Sequence, residues 1–113
     1  MGLLGETVRL THYGRKSGKP YDVTIWFVKI DGTTWIGSLS SERAWVKNLR
    51  ATGKAALDFG DGSRPMRAVW IDGANGVERY EAAVRQKYPI VSWILGRLVR
   101  GTRCAFRLEP IAA

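Results

Sequence analysis

Cysteine and histidine are almost absent from this sequence: its 113 residues contain one of each, Cys104 and His12. A lone cysteine forms no internal disulfide, so nothing in the chain calls for an oxidising compartment, and a cytoplasmic setting is expected. One histidine and one cysteine are also too few for a conventional zinc site, so no metal is expected. Long apolar runs are missing too. The longest, residues 90–99, is interrupted by Ser92, Gly96 and Arg97 and falls well short of the ~20 residues of a spanning helix. The first residues lack the basic start and the apolar stretch of about 7 to 15 residues that mark a secretory signal. No G-x-G-x-x-G occurs, and Gly18-Lys19 is followed by Pro20 where a Walker loop has Ser or Thr. A Ser-His-Asp triad would have to use His12, which sits in no supporting motif. If the chain is an enzyme, the chemistry is therefore expected from a cofactor. Acidic residues are scarce as well. Ten Asp and Glu against 18 Lys and Arg leave a formal charge of +8, which favours an anionic partner: nucleic acid, a phosphorylated small molecule or an acidic membrane surface.

What the chain does have is 45% apolar residues, enough for one compact domain, expected to span residues 1–113. In residues 7–13, Val8 and Leu10 alternate with Arg9 and Thr11, the period of a strand with one buried face. Residues 21–30 are rich in β-branched and aromatic side chains. Asp31-Gly32 then favours a type I′ turn, and residues 33–38 return as the second arm of a hairpin. Ser40 or Ser41 is expected to cap a helix with Glu42 in its first turn, ending near Gly53. Its apolar side would be Trp45, Leu49 and Ala44. Strands over 54–59 and 64–71 flank the turn residues 60–63. Val77, Tyr80, Val84 and Tyr88 recur with helical spacing up to Pro89. Residues 90–100 read as a shorter helical piece, and 102–108 as a last alternating strand. Six strands joined by hairpins, with two or three helices, predict an α+β or mainly β architecture: an antiparallel sheet curled into a barrel with helices outside.

The most informative segment is the loop Gly14, Arg15, Lys16, Ser17, Gly18, Lys19. Its glycines let backbone N–H groups approach an anion, and Arg15 and Lys16 add charged donors. A solvated turn is the plainer reading of such a charge cluster. Likewise Trp45 and Asn48, three apart on one helical face, either border a ligand or belong to an ordinary amphipathic helix. Trp26 and Trp35 read first as core, and Cys104 as a small buried hydrophobe.

Together, RLTHYGRKSGKP at 9–20, IWFV at 25–28, WVKNLRA at 45–51, KYP at 87–89 and LEP at 108–110 resemble the deazaflavin-dependent nitroreductase family, in order and over nearly the whole chain. The resemblance implies a split β-barrel of the FMN-binding, pyridoxamine-phosphate-oxidase-like type. It also implies hydride transfer from reduced coenzyme F420, an 8-hydroxy-5-deazaflavin with a phosphodiester and a polyglutamate tail, to a small quinone, activated alkene or nitro compound. On that basis Arg15, Lys16 and Ser17 would hold the anionic part of the cofactor. Ile25 and Trp26 would wall its ring, Gly37 and Ser38 would face it, and Trp45 and Asn48 would border it. Ser38, Tyr88 or His12 would donate a proton. Tyr21, followed by Asp22, stands where the family often has a basic residue. FMN, haem or a fatty acid are alternative ligands, and a non-catalytic binding protein is the alternative function. No nucleic acid is expected. The apolar residues of 90–99 suggest a homodimer, or contact with an apolar substrate or a membrane surface.

Overall fold

The structure is a computed structural model and describes residues 7–38, 40–71, 73–88 and 104–111. Its elements run β1 (Thr7–Tyr13), β2 (Pro20–Trp26), β3 (Val28–Ile30), β4 (Thr33–Ser38), α1 (Ala44–Thr52), β5 (Lys54–Asp58), β6 (Ser63–Trp70), α2 (Ala74–Lys87) and β7 (Cys104–Pro110). The strands form one antiparallel sheet in the order β2-β1-β5-β6-β7-β4-β3.

The two edge strands, β2 and β3, are separated in the chain by Phe27 alone. The stretch expected as a single strand over 21–30 is thus broken, and its halves pair with opposite ends of the sheet. That connection curls the sheet into a split barrel, and counting the broken strand once gives the six expected. The break has a visible cause. Phe27 O accepts from the Tyr88 hydroxyl at 2.7 Å and from Lys87 Nζ at 3.0 Å, and Phe27 N donates to Tyr88 Oη at 3.4 Å. Side chains from the end of α2 therefore bond the backbone where the strand changes partners. The following turn is as expected, with positive φ at both central residues, Asp31 (52°) and Gly32 (79°).

Burial falls into two layers. Inside the barrel, Val8, Leu10, Ile36, Leu57, Phe106 and Leu108 meet Trp45, Val46 and Leu49 of α1. Outside it, α2 lays Tyr80, Val84 and the adjoining Tyr88 over Val28, Trp35 and Ala105. Neighbours Trp35 and Ile36 on β4 serve opposite layers, as the pleat requires.

The start of α1 differs from expectation. Its N-cap is Arg43, without a side-chain cap and with no acid in the first turn. Ser40 Oγ instead accepts from Glu42 N at 3.1 Å in the turn before the helix. Ala44 is exposed rather than part of the apolar side. Gly53 ends α1 as expected, at φ 65° with its N–H bonded to Leu49 O. The last strand runs on to Pro110, past the expected end at 108. The helical piece over 90–100, and the dimer surface read from it, lie outside the described residues. Among the described residues no helix is long and apolar enough to cross a membrane.

Candidate functional site

The basic loop between β1 and β2 is closed on itself. Gly14 N donates to Lys19 O at 2.9 Å, Gly18 N to Gly14 O at 2.8 Å, and Lys19 N to Ser17 Oγ at 3.2 Å. Two glycines suit this loop, the first by space beside Ser17 and the second by its backbone angle. Gly18 stands at φ 72°, and a Cβ on Gly14 would lie 2.5 Å from Ser17 Oγ.

One buried side chain fastens the loop to the fold. Asn48, 4% exposed on α1, accepts at Oδ1 from Arg15 N (3.2 Å) and from the Arg15 guanidinium (2.7 Å). Its Nδ2 lies 3.0 Å from Nδ1 of His12. A guanidinium has no acceptor, so the Asn48 oxygen must face Arg15 and its NH2 must face the imidazole. His12 Nδ1 is therefore the acceptor, and the neutral ring carries its proton on Nε2. Burial lowers the His12 pKa from its ordinary value, with the Asp22 carboxylate opposing the shift. Across the β1–β2 hairpin, Tyr21 pairs with His12, and the two rings stack at 5.7 Å.

These groups enclose a cleft of about 380 Å³. β1 contributes His12, the loop Gly14, Arg15, Lys16 and Ser17, β2 Tyr21, and α1 Ala44 and Asn48. No described carboxylate lines it. A second hollow of about 460 Å³ shares Arg15 and runs along α1, where Lys47 pairs with Glu42 at 3.1 Å and the Arg50 guanidinium sits 4.1 Å from the Trp70 ring centre.

Of the residues expected at the site, the fold brings Arg15, Lys16, Ser17 and Asn48 together in this cleft. The others lie elsewhere. Ile25 packs on the barrel core and Trp45 is within it, 7% exposed. Trp26 stacks on Tyr88 at 5.3 Å, and Gly37 lies under Tyr80. The Ser38 hydroxyl donates to Ser40 O at 2.9 Å and accepts from Ser40 N at 3.1 Å. Gly14 lines the cleft as part of the expected loop, while Tyr21 and Ala44 were not anticipated as lining residues. His12 and Tyr21 become visible as a pair once the hairpin register is known, because they face each other across it.

The sequence profile of the F420H(2)-dependent quinone reductases matches residues 3–92. The chain belongs to that family. No curated protein sequence matches it. Among solved structures it is similar to the F420-H2 dependent reductase FDR-A, at 22% identity and TM-score 0.71 over 91% of this chain and 93% of that one. A structure described as a domain-swapped dimer matches at 22% identity and TM-score 0.70, over 91% of this chain and 79% of that one. The heme storage protein HutZ from Vibrio cholerae matches at 13% identity and TM-score 0.69, over 96% and 83%. At these identities the structural likenesses establish the split-barrel fold that this F420H(2)-dependent quinone reductase family member shares with them.

Proposed function

We propose that this protein is an F420H2-dependent reductase that grips the anionic part of the cofactor in the cleft beneath the basic loop and reduces a small electrophile: a quinone, activated alkene or nitro compound. The observation that carries this reading is Arg15, anchored through backbone and guanidinium to Asn48 at the rim of a cleft that no described carboxylate lines. Such an anchored donor loses little freedom when it meets an anion.

The donor set fits the group. Arg15 and Lys16 supply charge, Ser17 has a hydroxyl hydrogen to give, and the phosphodiester oxygens and glutamate carboxylates of F420 are acceptors. When bound, the reduced cofactor supplies a hydride. The chain's own work is to hold, orient and screen. Arg15 and Lys16 fix the anionic part, and Tyr21 with the stacked His12 forms one wall. Ser38 and Tyr88 hold backbone at Ser40 and Phe27, so we assign them to support of the barrel rather than to proton donation. The reading extends to one domain over residues 1–113, acting in the cytoplasm as a homodimer.

Titrating the purified protein with F420 and with FMN, then adding a quinone to the complex with reduced F420, tests it. Binding of F420 followed by oxidation of the reduced form is the expected result. Tight F420 binding without turnover on quinone, alkene or nitro acceptors would make the protein a carrier, in keeping with the storage function named for HutZ. Binding of FMN but not F420 would overturn the cofactor assignment.

A further inference from the structure

We propose that His12 is a ligand-binding residue of the cleft, a neutral Nε2–H donor to the anion held by the basic loop, with its tautomer dictated from behind by Asn48 and Arg15. The proposal rests on the cofactor reading above for the identity of the anion, but not for the state of the ring.

One group in the network has no choice of role. Arg15 can only donate, which turns the Asn48 oxygen toward it and leaves the Asn48 NH2 to donate to His12 Nδ1. The ring is thereby held as the Nε2–H form. Its Nε2 has no hydrogen-bond partner among the described residues. Nor is that atom sealed away, since the only buried side-chain oxygen or nitrogen lacking a partner there is Glu81 Oε2. A ring 6% exposed, lining the cleft, thus keeps one polar atom open to a ligand. An accessible N–H at the wall of the cleft can meet water or an anion acceptor, and the acceptor gains a donor already fixed in direction.

The surroundings favour this neutral donor. The loop presents Arg15 and Lys16 to the same cleft, while β2 places Tyr21 against the ring and Asp22 nearby. α1 contributes Ala44 and Asn48, and the residue paired with His12 on β5 is Ala55, none of them charged. Protonating Nδ1 would set it against the Asn48 NH2. Accepting the proton would require the amide to turn and release Arg15. A neutral N–H donates to the anion without that disruption.

His12 is the chain's sole histidine, so nitrogen NMR of protein labelled with 15N-histidine reads this ring alone. In the free protein at a pH where the ring is neutral, the expected spectrum is that of the Nε2–H tautomer. An Nδ1–H tautomer overturns the proposal. Adding oxidised F420, with occupancy followed by its fluorescence anisotropy, should shift Nε2 and its proton and leave Nδ1 in the lone-pair range. Saturation with no movement at Nε2 removes His12 from the site while the cofactor reading survives. If F420 does not bind but inorganic phosphate moves Nε2, the His12 assignment stands and the cofactor reading falls. If neither anion moves Nε2, the assignment is wrong. Asn48→Asp gives a second readout, because a carboxylate accepts from both Arg15 and the ring. The ring should then gain a proton on Nδ1 and titrate at least one pH unit higher than in wild type. An unchanged midpoint means that residue 48 does not set the tautomer. His12→Phe keeps an aromatic ring beside Tyr21 and should weaken F420 binding about tenfold; wild-type affinity in this variant, if folded, counts against the contact.

Discussion

Gly37 on β4 lies so close to Tyr80 on α2 that a Cβ added to it would stand 2.5 Å from Cε2 and 2.8 Å from Cζ of the ring, and 2.9 Å from Cys104 O. The glycine is therefore a seat for the helix. Burial pushes the Tyr80 hydroxyl well above its ordinary pKa, so it stays protonated under the helix. Gly37→Ala must displace either the ring or the strand, and overpacking of this kind costs about 1–3 kcal/mol. A drop in Tm of several degrees with little change in F420 affinity is expected. Unchanged melting would refute this packing role, and lost affinity at unchanged Tm would return Gly37 to the cofactor site.

Tyr88 makes a related prediction. Its hydroxyl bridges both backbone groups of Phe27, while Lys87 Nζ also reaches Phe27 O. In Tyr88→Phe the carbonyl keeps the lysine, but the N–H loses this partner at the point where the barrel strand changes neighbours. Stability should fall by about 1–2 kcal/mol. Turnover by the folded fraction should be near wild type. A variant that melts like wild type but no longer oxidises reduced F420 would restore the tyrosine as a proton donor.

The strands and turns were legible because each is written locally. Val8 and Leu10 alternate with Arg9 and Thr11, Asp31-Gly32 dictates its turn, and Gly53 ends α1. The break at Phe27 was not legible, since it depends on Tyr88, 61 positions away. The same holds for the site. Charge and glycines pointed to Arg15, Lys16 and Ser17, but Asn48 gained its meaning from contacts 33 and 36 positions distant. Trp45 and Asn48 share a helical side, yet the first fills the barrel and the second reaches the cleft. Periodicity marks that side as buried and does not say what lies beyond it.

Acid stability should depend on Asp58. Its Oδ1 accepts from Gly60 N at 2.7 Å and Gly62 N at 3.4 Å, and its Oδ2 accepts from Arg9 at 3.0 Å. The Gly60 bond is the main cause of a pKa below the ordinary 3.8, with the Gly62 and Arg9 contacts adding to it and desolvation opposing. A carboxylate held more acidic in the folded state contributes stability above its unfolded pKa and loses it as pH falls through the folded one. Asp58→Asn should therefore lower Tm near neutrality and flatten the decline below about pH 4. Parallel pH–Tm curves for the two proteins would show that the turn does not use the charge.

The coupling between Arg15 and Asn48 gives the last test, because it separates a residue that touches the ligand from one that holds such a residue in place. Arg15 and Lys16 are exposed, and the Arg15 N–H still serves the Asn48 oxygen once the guanidinium is gone, so changing both to Ala should leave the fold intact at a cost of about 1–2 kcal/mol. A large loss of cofactor affinity in that folded protein would have to come from direct contact with the anion. Asn48→Ala differs on both counts. It strands buried donors and acceptors, lowering stability by about 1–3 kcal/mol, and it frees the Arg15 side chain, weakening binding indirectly. If Asn48 acts on affinity through Arg15, removing it from an Arg15→Ala protein should change the dissociation constant little, whereas Lys16→Ala in the same background should add its full effect. F420 dissociation constants for the single and double variants, measured below their melting transitions, decide between these routes. Independent, additive losses for Arg15→Ala and Asn48→Ala would mean that the asparagine acts on the cofactor by a route that bypasses Arg15, through His12 or by its own contact, and that the loop keeps its shape without it.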